Sequence, residues 1–255
     1  MPRWAQWAVV LASLTYALLS VRFEWGGIAA YLLGLLPALV TLVVSGSVTG
    51  AIVVFLIPIY FVINQLTASR QHYQPSIWLD DAMAVWPEWI FVYASLYLCA
   101  FLLPIVVVRG RWLIEHTLRA YLFVMLVSYV IFWIYPTVAP RVEGQSVTGP
   151  AERALQLFYD LDQPYGCFPS LHVAYSVVGA FACHHMNRAL GRAMLAWSVL
   201  IAISTVYTKQ HFVLDAAAGG LLGLAARAMF LRTSDRRYDC VCVQRRSRSW
   251  LFLVY

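Results

Sequence analysis

Long apolar runs, separated by short polar clusters, set the pattern of this chain. Eight such runs stand at about 4–21, 28–44, 49–66, 89–108, 117–134, 171–186, 193–209 and 212–231. Each approaches the roughly 20 residues that cross a bilayer core as a helix at about 1.5 Å per residue. Backbone polar groups in hydrocarbon must be satisfied within their own segment. The pattern therefore predicts an all-α, polytopic membrane protein with about eight transmembrane helices. Only Ser45-Gly46-Ser47 divides the second run from the third. A single helix over 28–66 would be about 58 Å long, too long for one crossing, so a hairpin is expected there. Residues 4–21 follow Arg3 as a signal peptide would, but no small-x-small cleavage site comes after them, and they are read as a membrane helix.

Composition narrows the class. The 255 residues are 62% hydrophobic and 12% charged, where soluble domains carry about 25% charged residues. A soluble globular domain is excluded, and nothing resembles a nucleic-acid-binding surface. The five cysteines, Cys99, Cys167, Cys183, Cys240 and Cys242, have neither disulfide-framework nor metal-site spacing.

The net charge of +6 matters less than its distribution. With eight spans both termini share one side. That side holds Arg3, Arg109, Arg111, Arg119, Arg188, Arg192, Arg227, Arg232, Arg236, Arg237, Arg245, Arg246 and Arg248, which are 13 of the 18 basic residues. The opposite side holds Arg22, Arg70, Arg141, Arg153 and Lys209, the other 5. Positive-inside bias then expects both termini in the cytoplasm of a plasma membrane, the inner membrane in a bacterium. The basic tail, 232–255, is expected against anionic headgroups.

Three polar clusters then fall together on the extracytoplasmic face. They are Tyr135-Pro136-Thr137-Val138-Ala139-Pro140-Arg141, Phe168-Pro169-Ser170-Leu171-His172, and Ser204 through His211 with Asp215. The spans come from hydropathy and the side from arginines, so this agreement is independent of both. The stretch 150–161 has Pro in its first turn and Ala151, Leu155, Phe158 and Tyr159 on one face. It reads either as a helix resting on lipid or as a lid over a site.

The clustered residues suit displacement at phosphorus. His211 can attack as a neutral imidazole, with Asp215, four residues on, fixing its tautomer. His172 can protonate the leaving oxygen and then act as base. Arg141 and Lys209 can neutralise phosphate oxygens, and backbone N–H groups near Ser170 and Leu171 can face the anion. No metal or other cofactor is required. Taken singly, His211 could serve only to bond a neighbouring helix, and Arg141 could be an interfacial anchor.

The three clusters resemble the motifs of the type-2 phosphatidic acid phosphatase superfamily, K-x6-R-P, P-S-G-H and S-R-x5-H-x3-D. Here the second reads Pro169-Ser170-Leu171-His172 and the third Ser204-Thr205-x5-His211-x3-Asp215. The family glycine is Leu171, the third-motif arginine is Thr205, and the first motif lacks its lysine and reads Pro140-Arg141. The strings Tyr-Pro-Thr-x-x-Pro-Arg, Phe-Pro-Ser-Leu-His and Tyr-Thr-Lys-Gln-His look like the inositolphosphotransferase branch, which includes inositol phosphorylceramide synthase. The resemblance covers roughly residues 50–231. It implies a six-helix catalytic core over 49–231, with 1–48 as additional transmembrane helices and 232–255 as a cytoplasmic tail. It also implies a phospho-histidine at His211, His172 and Asp215 as its partners, Arg141 as a phosphate ligand, and Lys209 in place of the missing arginine.

Three functions follow as expectations. The first is transfer of a lipid-linked phosphate to an alcohol or to water, with a membrane lipid as substrate and a lipid or alcohol as possible acceptor. The second is hydrolysis alone, of phosphatidic acid or a polyprenyl phosphate. The third is a transporter with His211 and Asp215 as proton relay. Transporters usually hold coupling residues near the midplane and show internal repeats, whereas here the charges cluster at span ends and no repeat is visible.

Overall fold

The computed structural model describes residues 37–43, 45–142 and 148–232. The first apolar run, most of the second and the basic tail with Cys240 and Cys242 lie outside the described residues. What is described is all-helical, as expected from the apolar pattern, without strands and with two isolated bridges. Five helices are long and apolar enough to cross a membrane. They are α1 (Val48–Thr67), α3 (Pro87–Val107), α4 (Arg111–Ile134), α7 (Arg188–Tyr207) and α8 (Val213–Leu231). Between them stand the short α2 (Trp78–Ala82), the amphipathic α5 (Pro150–Leu161) and the 16-residue α6 (Leu171–Met186). The chain is an integral membrane protein.

Local sequence explains where these helices start and bend. Residues 37–43 are helical, and the chain then breaks at Gly46, whose φ of 64° lies in the left-handed region. Ser47 caps α1 by accepting from the Gly50 N–H at 2.9 Å. In α1, Pro58 falls between two helical stretches, Val48–Leu56 and Ile59–Thr67. In α3, Pro104 has no N–H to give the carbonyl of Ala100, and the segment Leu98–Leu102 widens into a π-turn. The hydroxyl of Tyr121, from α4, donates to that carbonyl instead. Helix α4 starts at Arg111 rather than near 117, because Gly110, at φ 85°, provides the break and the polar first turns stay helical.

Helix α6 is central. It packs against α3, α4, α7 and α8, and Val173, Ala174, Val178, Ala180 and Ala182 along it are buried. At about 24 Å it is shorter than the bilayer core, and the longer helices around it shield its ends. Small residues let α8 approach. A Cβ on Gly219 would stand 2.3 Å from the Ser170 carbonyl oxygen, and one on Gly223 would stand 2.9 Å from that of Ala174. The bundle's outside is apolar: Val130 and Ile134 on α4, Val199 on α7 and Leu221 on α8 are exposed, as lipid contact demands.

The loops at one end are knitted together. Tyr73 N–H donates to Pro136 O at 2.9 Å, and Ala139 N–H to Pro164 O at 2.7 Å. Thr137, fully buried, accepts Gly166 N–H on its carbonyl (3.0 Å) and Cys167 N–H on its hydroxyl (2.8 Å). The first polar cluster is thereby fixed to the segment that leads into the second. Helix α5 resolves the two readings left open for it. Leu155 is 2% exposed within a cluster that includes Ile90, Tyr93 and Ile201. Its apolar face therefore packs on protein, in the position of a cover.

Candidate functional site

The end of α7 directs the third cluster inward. Lys209 N–H donates to Val206 O at 3.1 Å and Gln210 N–H to Thr205 O at 3.0 Å. This is a Schellman closure with Lys209 in the left-handed position, at φ 52°. The chain reverses there, so His211, two residues before α8, and Asp215, in its first turn, stand beside the start of α6. Asp215 stands in the first turn of α8, where a carboxylate is favoured by the helix dipole, and its Oδ2 accepts Phe212 N–H at 2.9 Å. The Asp215 carbonyl accepts Ser170 N–H at 3.0 Å, which ties α8 to the N-terminus of α6.

These anchors bring the two histidines into contact. His172 Nδ1 lies 2.9 Å from His211 Nε2, and His211 Nδ1 lies 3.5 Å from Asp215 Oδ2. On the far side, the Tyr93 hydroxyl lies 2.9 Å from His172 Nε2. Four side chains, from α3, α6, the α7–α8 turn and α8, thus form one line: Tyr93, His172, His211, Asp215. With the His211 proton on Nδ1 toward Asp215, its Nε2 carries a lone pair, as a nucleophile requires. Both His211 and Asp215 are buried, at 5% and 0% exposure.

Arg141 joins the first cluster to the third. Its Nη1 donates to the carbonyls of Tyr159 (2.9 Å) and Asp162 (2.8 Å), and its Nη2 to Gln210 Oε1 at 2.7 Å. The guanidinium also sits 4.7 Å from the centre of the Tyr159 ring. Arg141 Nε, Gln210 Nε2 and the Ser170 hydroxyl are buried without partners. Buried polar atoms seldom stay unpaired, and these three come one from each of the three polar clusters.

Two expected phosphate contacts come out differently. Lys209 extends its ammonium to the carbonyl of Asp80, 2.9 Å away on α2, and is 9% exposed there. Asp80 also accepts Val213 N–H at 2.8 Å, so lysine and aspartate together fasten α2 to the start of α8. The Ser170 N–H, expected to face an anion, is occupied by the Asp215 carbonyl. The reason is the tight α6–α8 contact at Gly219. Thr205, at the place of the motif arginine, turns its hydroxyl back to Ala202 O at 2.7 Å.

Sequence reading missed Tyr93, Gln210, Asp162 and Tyr60. Asp162, between α5 and α6, accepts from the Tyr60 hydroxyl at 2.9 Å. Burial pushes its carboxyl above the usual range, opposed by Arg141 and by the Tyr60 hydrogen bond. Burial also raises the Cys167 thiol well above its ordinary value, helped by Asp215 and Asp162. Cys167, His211 and Asp215 bring three ligand-type atoms within 4.8 Å of one another, a donor set of the number found in catalytic metal sites. Tyr93 had no sequence signal, being one of 15 tyrosines and inside an apolar run. Gln210 could have been found from its place beside His211.

A family model of the PAP2 superfamily matches residues 74–229, more than half of the chain. The chain belongs to the PAP2 superfamily. The matched span contains all three polar clusters and α3 to α7 entire. No curated protein and no solved structure matches. Membership gives a phosphatase-type enzyme of the membrane, and a lipid phosphate is consistent with it as substrate.

Proposed function

We propose that this protein is a lipid phosphotransferase that passes a lipid-linked phosphate through a covalent phospho-histidine at His211 to an alcohol, or to water. The carrying observation is the 2.9 Å contact of His172 Nδ1 with His211 Nε2, with Asp215 behind His211. A phosphate that displaces this contact lies between the two rings, with His211 Nε2 at phosphorus and His172 Nδ1 at the leaving oxygen.

His211 Nε2 gives its lone pair to phosphorus as the bond from phosphorus to the lipid oxygen breaks. His172, as imidazolium, transfers its Nδ1 proton to that oxygen. The acceptor hydroxyl then returns a proton to His172 while its oxygen attacks phosphorus and the N–P bond breaks. Arg141 Nε, Gln210 Nε2 and the Ser170 hydroxyl are the unpartnered groups available to the phosphate oxygens. Lys209, held by Asp80, serves in this reading as the tether of the motif turn. The inositolphosphotransferase reading, with an alcohol acceptor, rests on the strings quoted above; the apolar residues Phe168, Leu171, Phe212 and Val213 beside the motifs fit a site that excludes water. In this reading the arginine distribution supports a site on the extracytoplasmic side of a plasma membrane with both termini inside, and the motif resemblance supports 49–231 as the catalytic core.

The test uses purified protein and labelled phosphatidylinositol or phosphatidic acid, with and without ceramide or diacylglycerol. A labelled lipid product that depends on the added alcohol is expected, and inositol phosphate (from phosphatidylinositol) or free phosphate (from phosphatidic acid) as sole product rejects transfer. Label trapped on wild-type protein but absent from His211→Ala identifies the nucleophile. Retained turnover in that variant rejects it.

A further inference from the structure

Tyr93 lies outside all three polar clusters, on α3, yet it makes the other contact of His172. It is 1% exposed, its ring packs edge-on against Phe158 of α5 at 5.4 Å, and its hydroxyl stands 2.9 Å from His172 Nε2. We propose that Tyr93 is the positioning residue for the proton transfer: its hydroxyl holds His172 by Nε2 in every protonation state, so that Nδ1 always addresses the reacting oxygen. This rests on His172 as the acid and base of the reading above.

The argument is one of hydrogen-bond capacity. An imidazolium carries N–H on both nitrogens, and after Nδ1 gives up its proton the Nε2–H remains. In both states Nε2 is a donor and the tyrosine oxygen accepts. In the neutral resting pair, with His172 Nδ1–H directed at His211 Nε2, the roles at Nε2 reverse and the hydroxyl donates. A hydroxyl answers both demands, whereas a carboxylate only accepts and an ammonium only donates. It also carries no charge, so it does not tie His172 to the cationic form after the proton has left. Without it Nε2 faces Phe158 and the apolar cluster of α3 and α5. The ring is then free to turn about its χ2, taking Nδ1 out of line.

The experiment compares two leaving groups. Alkoxide departure from phosphatidic acid in mixed micelles needs the His172 proton, whereas p-nitrophenolate departure from p-nitrophenyl phosphate does not. Tyr93→Phe is expected to slow phosphatidic acid turnover by about ten- to a hundredfold, the range for one hydrogen bond to a charged group. The pre-steady-state burst of p-nitrophenolate is expected to change by less than about threefold, since forming the phospho-histidine from the aryl ester needs no proton from His172. Equal slowing of both substrates, or of neither, overturns the proposal. In a His172→Gln background, adding Tyr93→Phe is expected to have no further effect, and an additive loss would also overturn it. Should Tyr93→Phe fail to fold, 3-fluorotyrosine at position 93 keeps the ring and hydroxyl but weakens the oxygen as acceptor. The ratio of the two rates is then expected to fall, and an unchanged ratio counts against the role. Alkaline-quenched label on His211 from p-nitrophenyl phosphate tests the nucleophile separately. It should survive Tyr93→Phe, and its absence from wild-type protein refutes the nucleophile and not the tyrosine.

Discussion

Two neighbouring glycines on α8 offer a matched perturbation of the site. A Cβ on Gly219 would stand 2.3 Å from Ser170 O, with Ser170 Cβ at 3.1 Å. One on Gly220 would meet only Val173 Cγ1, at 3.9 Å, an ordinary contact. Both substitutions by alanine gain the same helix propensity, about 0.8–1 kcal/mol. They differ in what the methyl group strikes. At Gly219 the struck atom is backbone at the N-terminus of α6, two residues before His172. Relief to a normal carbon–oxygen separation requires roughly 1 Å of movement between α8 and α6. That movement disturbs the His172–His211 contact, because His211 lies two residues before α8 and His172 is the second residue of α6. Displacement of about 1 Å in a reacting pair costs about a hundredfold in rate, and overpacking costs about 1–3 kcal/mol in stability. Gly219→Ala is therefore expected to lose about a hundredfold in phosphatidic acid turnover in mixed micelles and to melt earlier in detergent, whereas Gly220→Ala keeps its activity. If Gly219→Ala were as active as Gly220→Ala, the claim that the α6–α8 approach sets the histidine pair would fail.

Other expectations follow from single contacts. Asp162 has a carboxyl pushed up by burial, so the folded state binds its proton more tightly than the unfolded chain does. Its contribution to stability thus falls as pH rises from the unfolded carboxylate value through the folded one. Asp162→Asn should remove that slope and be at least as stable as wild type at neutral pH, as pH-dependent thermal unfolding in detergent can show. Tyr121→Phe leaves the Ala100 carbonyl without its hydroxyl donor and should cost about 1–3 kcal/mol in stability. Arg141→Lys keeps the charge but loses the fork that joins Tyr159, Asp162 and Gln210. It should lower kcat/KM by at least about tenfold, with wild-type rate in the lysine variant as the contrary result. Lys209→Gly relieves a left-handed lysine but releases Asp80. A net loss in melting temperature is expected, and a gain would show that the Asp80 tether contributes little.

The sequence alone was sufficient for the class of the protein and for the polar strings that the structure brings together. Hydropathy follows directly from residue type, so the expected run at 171–186 matches α6 end to end. Among the described helices α1, α3 and α8 agree with their runs within two residues at each end, whereas polar residues continue α4 back from 117 to Arg111 and α7 back from 193 to Arg188. The three polar clusters are local strings, and their residue types already indicate phosphorus chemistry. Which atoms meet is another matter, since it depends on contacts between positions distant in the chain. Tyr93 reaches His172 across 79 residues and Arg141 reaches Gln210 across 69. Neither pairing leaves a periodic trace. The same holds for where the groups of two expected anion contacts point. Lys209 turns to Asp80, 129 residues before it, and the Ser170 N–H turns to the Asp215 carbonyl because a glycine lets two helices close up. Short-range chemistry is written in neighbouring residues, whereas the direction in which a buried donor points is decided by whichever helix packs against it.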